Sequence, residues 1–121
     1  DAYKVQDDIH ENGKLVLGES IADLGGLNLA YRALHKTLQG KKPPLVNGLT
    51  PDQRFFLSYA QIWASNDRPE FERLMVNTNP HPLARYRAIA APSNMPAFAQ
   101  AFGCNEGDAM ARPSAIRCQI W

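Results

Sequence analysis

The feature that most limits what this chain can fold into is an apolar stripe between Leu15 and Leu38. Leu17, Ile21, Leu24, Leu27, Tyr31, Leu34 and Leu38 follow one another at steps of three and four. That spacing predicts one long helix. Its opposite stripe, Glu19, Asp23, Gly26, Ala30 and Ala33, is polar at the N-terminal end and small thereafter. Glu19 and Asp23 lie one turn apart on a shared face, where like charges repel by about 0.2–0.5 kcal/mol. Gly25 and Gly26 each cost roughly 1 kcal/mol against alanine. A surface helix free to optimise its own stability would not carry this combination. A line of small residues lets a second backbone approach closely, so the helix is read as having two buried faces, one apolar and one bearing carboxylates.

The remaining organisation is read from turn and cap signals. Residues 1 to 14 are polar and charged, with a turn at Asn12-Gly13. QGKKPPLVNGLT (Gln39 to Thr50) is a loop, with Gly40 placed to end the long helix. Thr50-Pro51-Asp52-Gln53 is a helix start: a threonine N-cap, proline at the first position and a glutamine completing a capping box. That helix is expected to reach about Ala64 and, with Phe55, Phe56, Tyr59, Ile62 and Trp63 on it, to be buried on most sides. Arg68-Pro69-Glu70 opens a shorter helix to about Val76, and NTNPHP (Asn77 to Pro82) is turn chemistry. Arg85 to Ala90 is expected to be extended. Ser93-Asn94 should cap a last helix, Met95 to Phe102, that ends at Gly103, with an irregular tail beyond. The expected class is mainly α, with long loops and little or no sheet.

Charge narrows the partners. Thirteen basic against twelve acidic side chains in 121 residues give a formal net charge of +1, which argues against nucleic acid and against an anionic membrane surface. No apolar run approaches the roughly 18 residues of a membrane span, so this segment is expected to make no direct membrane contact. A chain that opens on Asp1 rather than methionine is expected to be a processed or truncated piece. Cys104 and Cys118 could pair with each other or with cysteines outside the chain; no C-x-x-C or Cys/His cluster is present.

Two constellations could carry chemistry. Glu19 and Asp23 read most simply as a solvated face. The small residues that continue that face favour close packing instead, where carboxylates require cations or donors, and a metal with its ligands would supply them. His81 is held between Pro80 and Pro82, which restrict its backbone, and Arg87 offers a bidentate fork for a carboxylate or an oxyanion. The plainer reading there is a loop histidine and surface arginines, and for Ile62 and Trp63 a place in the core. His10, His35 and His81 include no pair at i, i+4, so the chain alone cannot assemble a normal zinc site.

GESIADLGGLNLAYRAL is similar to the third-ligand helix of the neprilysin and endothelin-converting-enzyme family of zinc metallopeptidases. The resemblance continues through FFLSYAQIWASNDRPEF and NPHPLARYRAIAAPSNMPAFAQAFGC to the terminal CQIW, in order and over essentially residues 1–121. It implies the C-terminal helical part of a gluzincin (thermolysin-like) catalytic domain. By that resemblance Glu19 is the third zinc ligand and Asp23 the carboxylate that holds a zinc-binding histidine. His81 is the transition-state stabiliser, and Arg87 orients substrate and sustains the aspartate network. Ile62 and Trp63 line the pocket for the residue after the scissile bond, usually a large apolar one. The implied reaction is zinc-assisted attack of water on a peptide carbonyl, with oxyanion stabilisation by zinc and His81. The H-E-x-x-H helix and the capping domain are expected upstream in the same polypeptide, so the chain by itself is expected to be inactive. Family members are mostly extracytoplasmic, although some bacterial ones are intracellular. The competing class is a non-catalytic helical module that kept this architecture for binding or packing.

Overall fold

The computed structural model describes residues 2–120, and Trp121 of the CQIW block lies outside them. The fold is mainly helical. A small hairpin, β1 (Lys4–Gln6) and β2 (Ile9–His10), precedes α1 (Leu17–Leu38), α2 (Pro51–Ile62), α3 (Pro69–Thr78), α4 (Ala84–Ser93) and α5 (Pro96–Phe102). The tail beyond Gly103 carries one short 3₁₀ turn, Ser114–Ile116.

Local signals set most boundaries. At α2 the capping box forms: Thr50 Oγ1 accepts the Gln53 N–H at 3.2 Å, and Gln53 Oε1 accepts the Thr50 N–H at 3.0 Å. The Gln53 amide also donates to the Ala101 carbonyl at 2.9 Å, which ties α2 to the end of α5. Gly103 takes the left-handed conformation (φ 66°) that closes α5, and the Cys104 N–H returns to the Ala99 carbonyl at 2.8 Å. α1 starts at Leu17 rather than Leu15, after Asn12 has accepted the Leu15 N–H on its side chain and the Val16 N–H on its carbonyl.

Four expectations are corrected. Arg85 to Ala90 is not extended but lies in α4. The alternation of arginines with Tyr86 and Ala88 imitates a strand, yet alanine and arginine are strong helix formers, and the helix buries Tyr86 at one end and Ala91, Pro92 and Ser93 at the other. Residues 4–10 form a hairpin whose strands are too short to show a period; Asp7 supplies the positive φ (37°) at its turn. α2 is not buried on most sides: Phe56 alone is fully covered, and Leu57 and Ile62 are exposed. In α1, Leu24 and Leu27 are buried but Leu17 and Ile21 are exposed, because the apolar stripe extends beyond the surface that α2 and α4 cover.

Two cores result. Leu24, Leu27, Phe56, Ala91 and Met95 form the larger one, ringed by Tyr31, Phe55, Tyr59 and Phe98. Val5, Val76, Leu83 and Tyr86 form the smaller one beneath the hairpin. α4 contributes Ala91 to the first and Tyr86 to the second, so it joins them. Asn94, just past its end, accepts the Cys118 N–H at 2.8 Å and so fastens the tail to this junction.

The smaller core is closed by a polar clasp. Arg85 hydrogen-bonds both carboxylate oxygens of buried Glu72 and also the Val5 carbonyl, while Gln6 donates to Glu72 at 3.3 Å. Hydrogen bonding from Arg85, opposed by burial, holds the Glu72 carboxyl below its ordinary value. A depressed carboxylate adds stability that is fully present above the unfolded value of about 4.3 and fades as pH falls toward the folded one. Glu72→Gln should therefore lower urea stability at pH 7, with the gap to wild type closing below about pH 4. A gap independent of pH would show that the charge of Glu72 is immaterial.

Candidate functional site

The site is assembled from four segments. α1 presents Glu19 and Asp23 one turn apart, α4 supplies Arg87, the loop between α3 and α4 supplies His81, and the end of α2 supplies Trp63. Arg87 grips Asp23 with two prongs, Nε to Oδ2 at 2.7 Å and Nη2 to Oδ1 at 2.5 Å. The same Nη2 stands 3.6 Å from Glu19 Oε2, and His81 Nε2 is 3.2 Å from that oxygen. The guanidinium carbon of Arg87 lies 3.9 Å from the centre of the Trp63 ring, a cation–π contact.

Burial divides the two carboxylates. The Asp23 and Arg87 side chains are 11% and 14% exposed, whereas Glu19 and His81 are 36% and 47% exposed. Asp23 is thus neutralised within the chain, and Glu19 is the carboxylate open to something outside it. The hydrogen bonds from Arg87 to Asp23, and then the charges of Asp23 and Glu19, raise the guanidinium above its already high value against the effect of burial. The fork is permanently charged.

Tyr59 and Asn79 belong to the site although the sequence reading passed over them. The Tyr59 hydroxyl donates to the Arg87 carbonyl at 3.2 Å, and burial followed by the charge of Asp23 pushes its pKa up to about 12. Tyr59 reads as one more core aromatic four residues before Trp63. Asn79 accepts both the His81 peptide N–H at 2.9 Å and the ring Nδ1 at 2.8 Å through a single oxygen. Its signal, asparagine two residues before a histidine in N-P-H, was visible only as turn chemistry. The structure does not bring Ile62 into this cluster. Ile62 lines a cavity of about 450 Å³ between α1 and α2, with Leu27, Leu34, Phe55 and Tyr59.

As a metal centre the cluster is partial. Among the described residues no three His, Cys, Asp or Glu side chains converge to hold an ion. Zinc is bound by three or four such donors. Glu19 fits as one of them, being a hard oxygen donor on an accessible face, and Asp23 retains lone pairs with which to hold a neighbouring ligand. The chemistry of the donor set matches a zinc site to which other residues contribute.

Comparison with known proteins gives this geometry its context. A sequence model of Peptidase family M13 matches residues 1–118. Membrane metallo-endopeptidase-like 1 of Mus musculus is 39% identical over 99% of this chain, and endothelin-converting enzyme 1 of Homo sapiens is 41% identical over 91%. The chain spans only 16% and 14% of those two proteins. Among solved structures, the Mycobacterium tuberculosis zinc metalloprotease Zmp1 in complex with an inhibitor superposes with a TM-score of 0.89 at 37% identity. That match covers 93% of this chain and 17% of the other.

The fork itself is testable. Removing one member of a covered ion pair strands the other, at a cost of about 3–5 kcal/mol. Arg87→Met should lose about that much in urea denaturation, and Arg87→Met combined with Asp23→Leu should recover a large part of it. Equal losses in the single and double variants would mean that the two side chains do not depend on each other.

Proposed function

Because the chain belongs to peptidase family M13, we propose that it forms the C-terminal portion of the catalytic domain of a zinc-dependent endopeptidase or oligopeptidase. The observation that carries this reading is the division of labour between the two carboxylates of α1, Asp23 gripped by Arg87 and Glu19 left accessible beside His81. Glu19 would hold the zinc ion together with ligands from the remainder of the polypeptide. The ion, when bound, supplies a Lewis acid that polarises the scissile carbonyl and lowers the pKa of water.

The residues of this chain then act around that ion. Asp23, its charge fixed by the Arg87 fork, accepts a hydrogen bond from an imidazole ligand and makes that ligand more basic. His81, whose Nε2 already lies beside the Glu19 oxygen, donates to the oxyanion that develops on the carbonyl. Arg87 keeps Asp23 in place and orients the substrate backbone. Trp63, stacked on Arg87, borders a pocket for a large apolar residue, so that cleavage falls on its amino side, whereas Ile62 faces the separate cavity between α1 and α2. The substrates are peptides, the remainder of the same polypeptide completes the site, and the setting is extracytoplasmic, as a periplasmic, secreted or membrane-anchored ectodomain. Among the described residues no helix is long and apolar enough to cross a membrane. By itself the chain hydrolyses nothing.

Substitutions in the intact enzyme separate these roles. Glu19→Ala should remove zinc and activity together. Asp23→Asn, which keeps shape and loses charge, should cost about 10–100-fold in metal affinity or activity. His81→Ala should leave zinc bound and lower kcat by about 10²–10³ with little change in KM. The 121-residue chain alone should show no turnover of a quenched apolar peptide. Full zinc occupancy in Glu19→Ala, a pure KM effect in His81→Ala, or zinc-dependent turnover by the chain alone would each overturn the assignment concerned.

A further inference from the structure

The cavity between α1 and α2 is a groove. Leu27, Ala30, Leu34 and Leu38 line it along about three turns of α1, a length of roughly 17 Å. On the α2 side Ile62 closes one end and is 70% exposed, more open to water than any other large apolar side chain among the described residues. A continuous apolar surface of this kind marks a contact site.

One charge interrupts it. Arg54 is the only ionised side chain among the described residues that line the groove, and no carboxylate lines it. Its Nε is buried and makes no hydrogen bond among the described residues. A buried guanidinium donor is costly unless an acceptor meets it, so whatever covers the groove gains by carrying a negative oxygen.

The walls also select the shape of the occupant. A strand or loop laid along them would find too few polar side chains for its own N–H and C=O groups, whereas a helix pairs these internally. Ala30, the small side chain on the α1 wall, lets a third helix come close, and it also belongs to the open face of Gly26 and Ala33. A second copy of the chain offers a poor match: α3 exposes Phe71 and Leu74, too short an apolar stripe to fill three turns.

We propose that the groove holds an amphipathic helix from the remainder of the same polypeptide, with an apolar stripe against Leu34 and Ile62 and one carboxylate against Arg54. The proposal rests on the reading of this chain as one part of a larger catalytic domain; the chain spans only 16% and 14% of the two relatives above.

Hydroxyl-radical footprinting of the intact wild-type enzyme, read by mass spectrometry, measures side-chain access without any substitution. Ile62 should be oxidised about tenfold more slowly than in a free peptide of residues 51–64. Arg54→Lys should keep that protection and Arg54→Leu should lose part of it. Arg54→Glu, which opposes two carboxylates, should raise Ile62 oxidation about tenfold. Carbodiimide treatment of Arg54→Lys should link its amine to an Asp or Glu outside residues 1–121, in a segment with apolar residues at helical spacing. Ile62 oxidised at the peptide rate in wild type overturns the docking. Full protection in Arg54→Glu, or in Arg54→Leu, overturns the carboxylate. Protection that fades on dilution gives the groove to a second copy and overturns the intramolecular helix. Zinc-dependent turnover measured in parallel keeps the two readings apart: an open groove in an active enzyme sinks this proposal alone, and a protected groove in an inactive one sinks the peptidase reading alone.

Discussion

The Asp23–Arg87 fork is the contact on which the arrangement of this chain depends. It joins α1 to α4 across 64 residues of sequence, with both side chains largely withdrawn from water. Taking two charges out of water costs several kcal/mol per ion, and mutual attraction offsets that only when the geometry is good and the remaining donors are used. Here two parallel hydrogen bonds, the Trp63 ring against the guanidinium and the nearby Glu19 oxygen meet that condition. Since α4 also carries Ala91 into one core and Tyr86 into the other, the fork fixes the helix that holds both cores together.

That arrangement accounts for the unusual composition of α1. The turn carrying Asp23 faces inward only as far as Arg87 requires. Beyond it Gly26, Ala30 and Ala33 are exposed, and a Cβ added at Gly18 or Gly26 would meet nothing within 4 Å. The expected close approach to these small residues therefore has no counterpart among the described residues, and the cost of Gly26 is not offset inside this chain. The same face holds the accessible Glu19. This face of α1 is therefore open to contact from outside the described residues.

What could be read from the sequence was what is decided locally. The capping box at Thr50, the proline starts at Pro51 and Pro69, and the glycine end at Gly103 depend on residues within a few positions of one another, and each boundary fell within about two residues of the expected one. α4 was misread because two arginines alternating with other residues satisfy a period of two as readily as 3.6 over so short a run. The exposure of Leu17 and Ile21 was not legible, since periodicity tells which residues share a face and not how far the neighbouring helices reach. In the site, the spacing of Glu19 and Asp23 was visible from the start. The grip of Arg87 on Asp23 and its stacking on Trp63 join elements far apart in the chain, and no local signal encodes them. Asn79 escaped because turn formation and ring positioning draw on the same side-chain oxygen.

The loop that carries His81 is held at both ends, and the second anchor explains the N-terminal hairpin. Glu11, just past β2, is buried, and its Oε1 accepts the Leu83 N–H at 2.7 Å across 72 residues. Leu83 is the N-cap of α4, which has no side-chain cap of its own. A carboxylate there also faces the positive end of the helix macrodipole, which favours it. Its other oxygen has no hydrogen-bond partner among the described residues, a cost of about 1–3 kcal/mol for a buried acceptor. A residue retained against such a cost has work that a shorter polar side chain, unable to span from hairpin to helix, could not do. With Asn79 fastened to the end of α3 and Leu83 fastened to Glu11, the three residues between them have little freedom left. The polar N-terminal segment thus folds over α3 and α4 as a brace for the histidine loop, and this is why two strands of three and two residues persist at all.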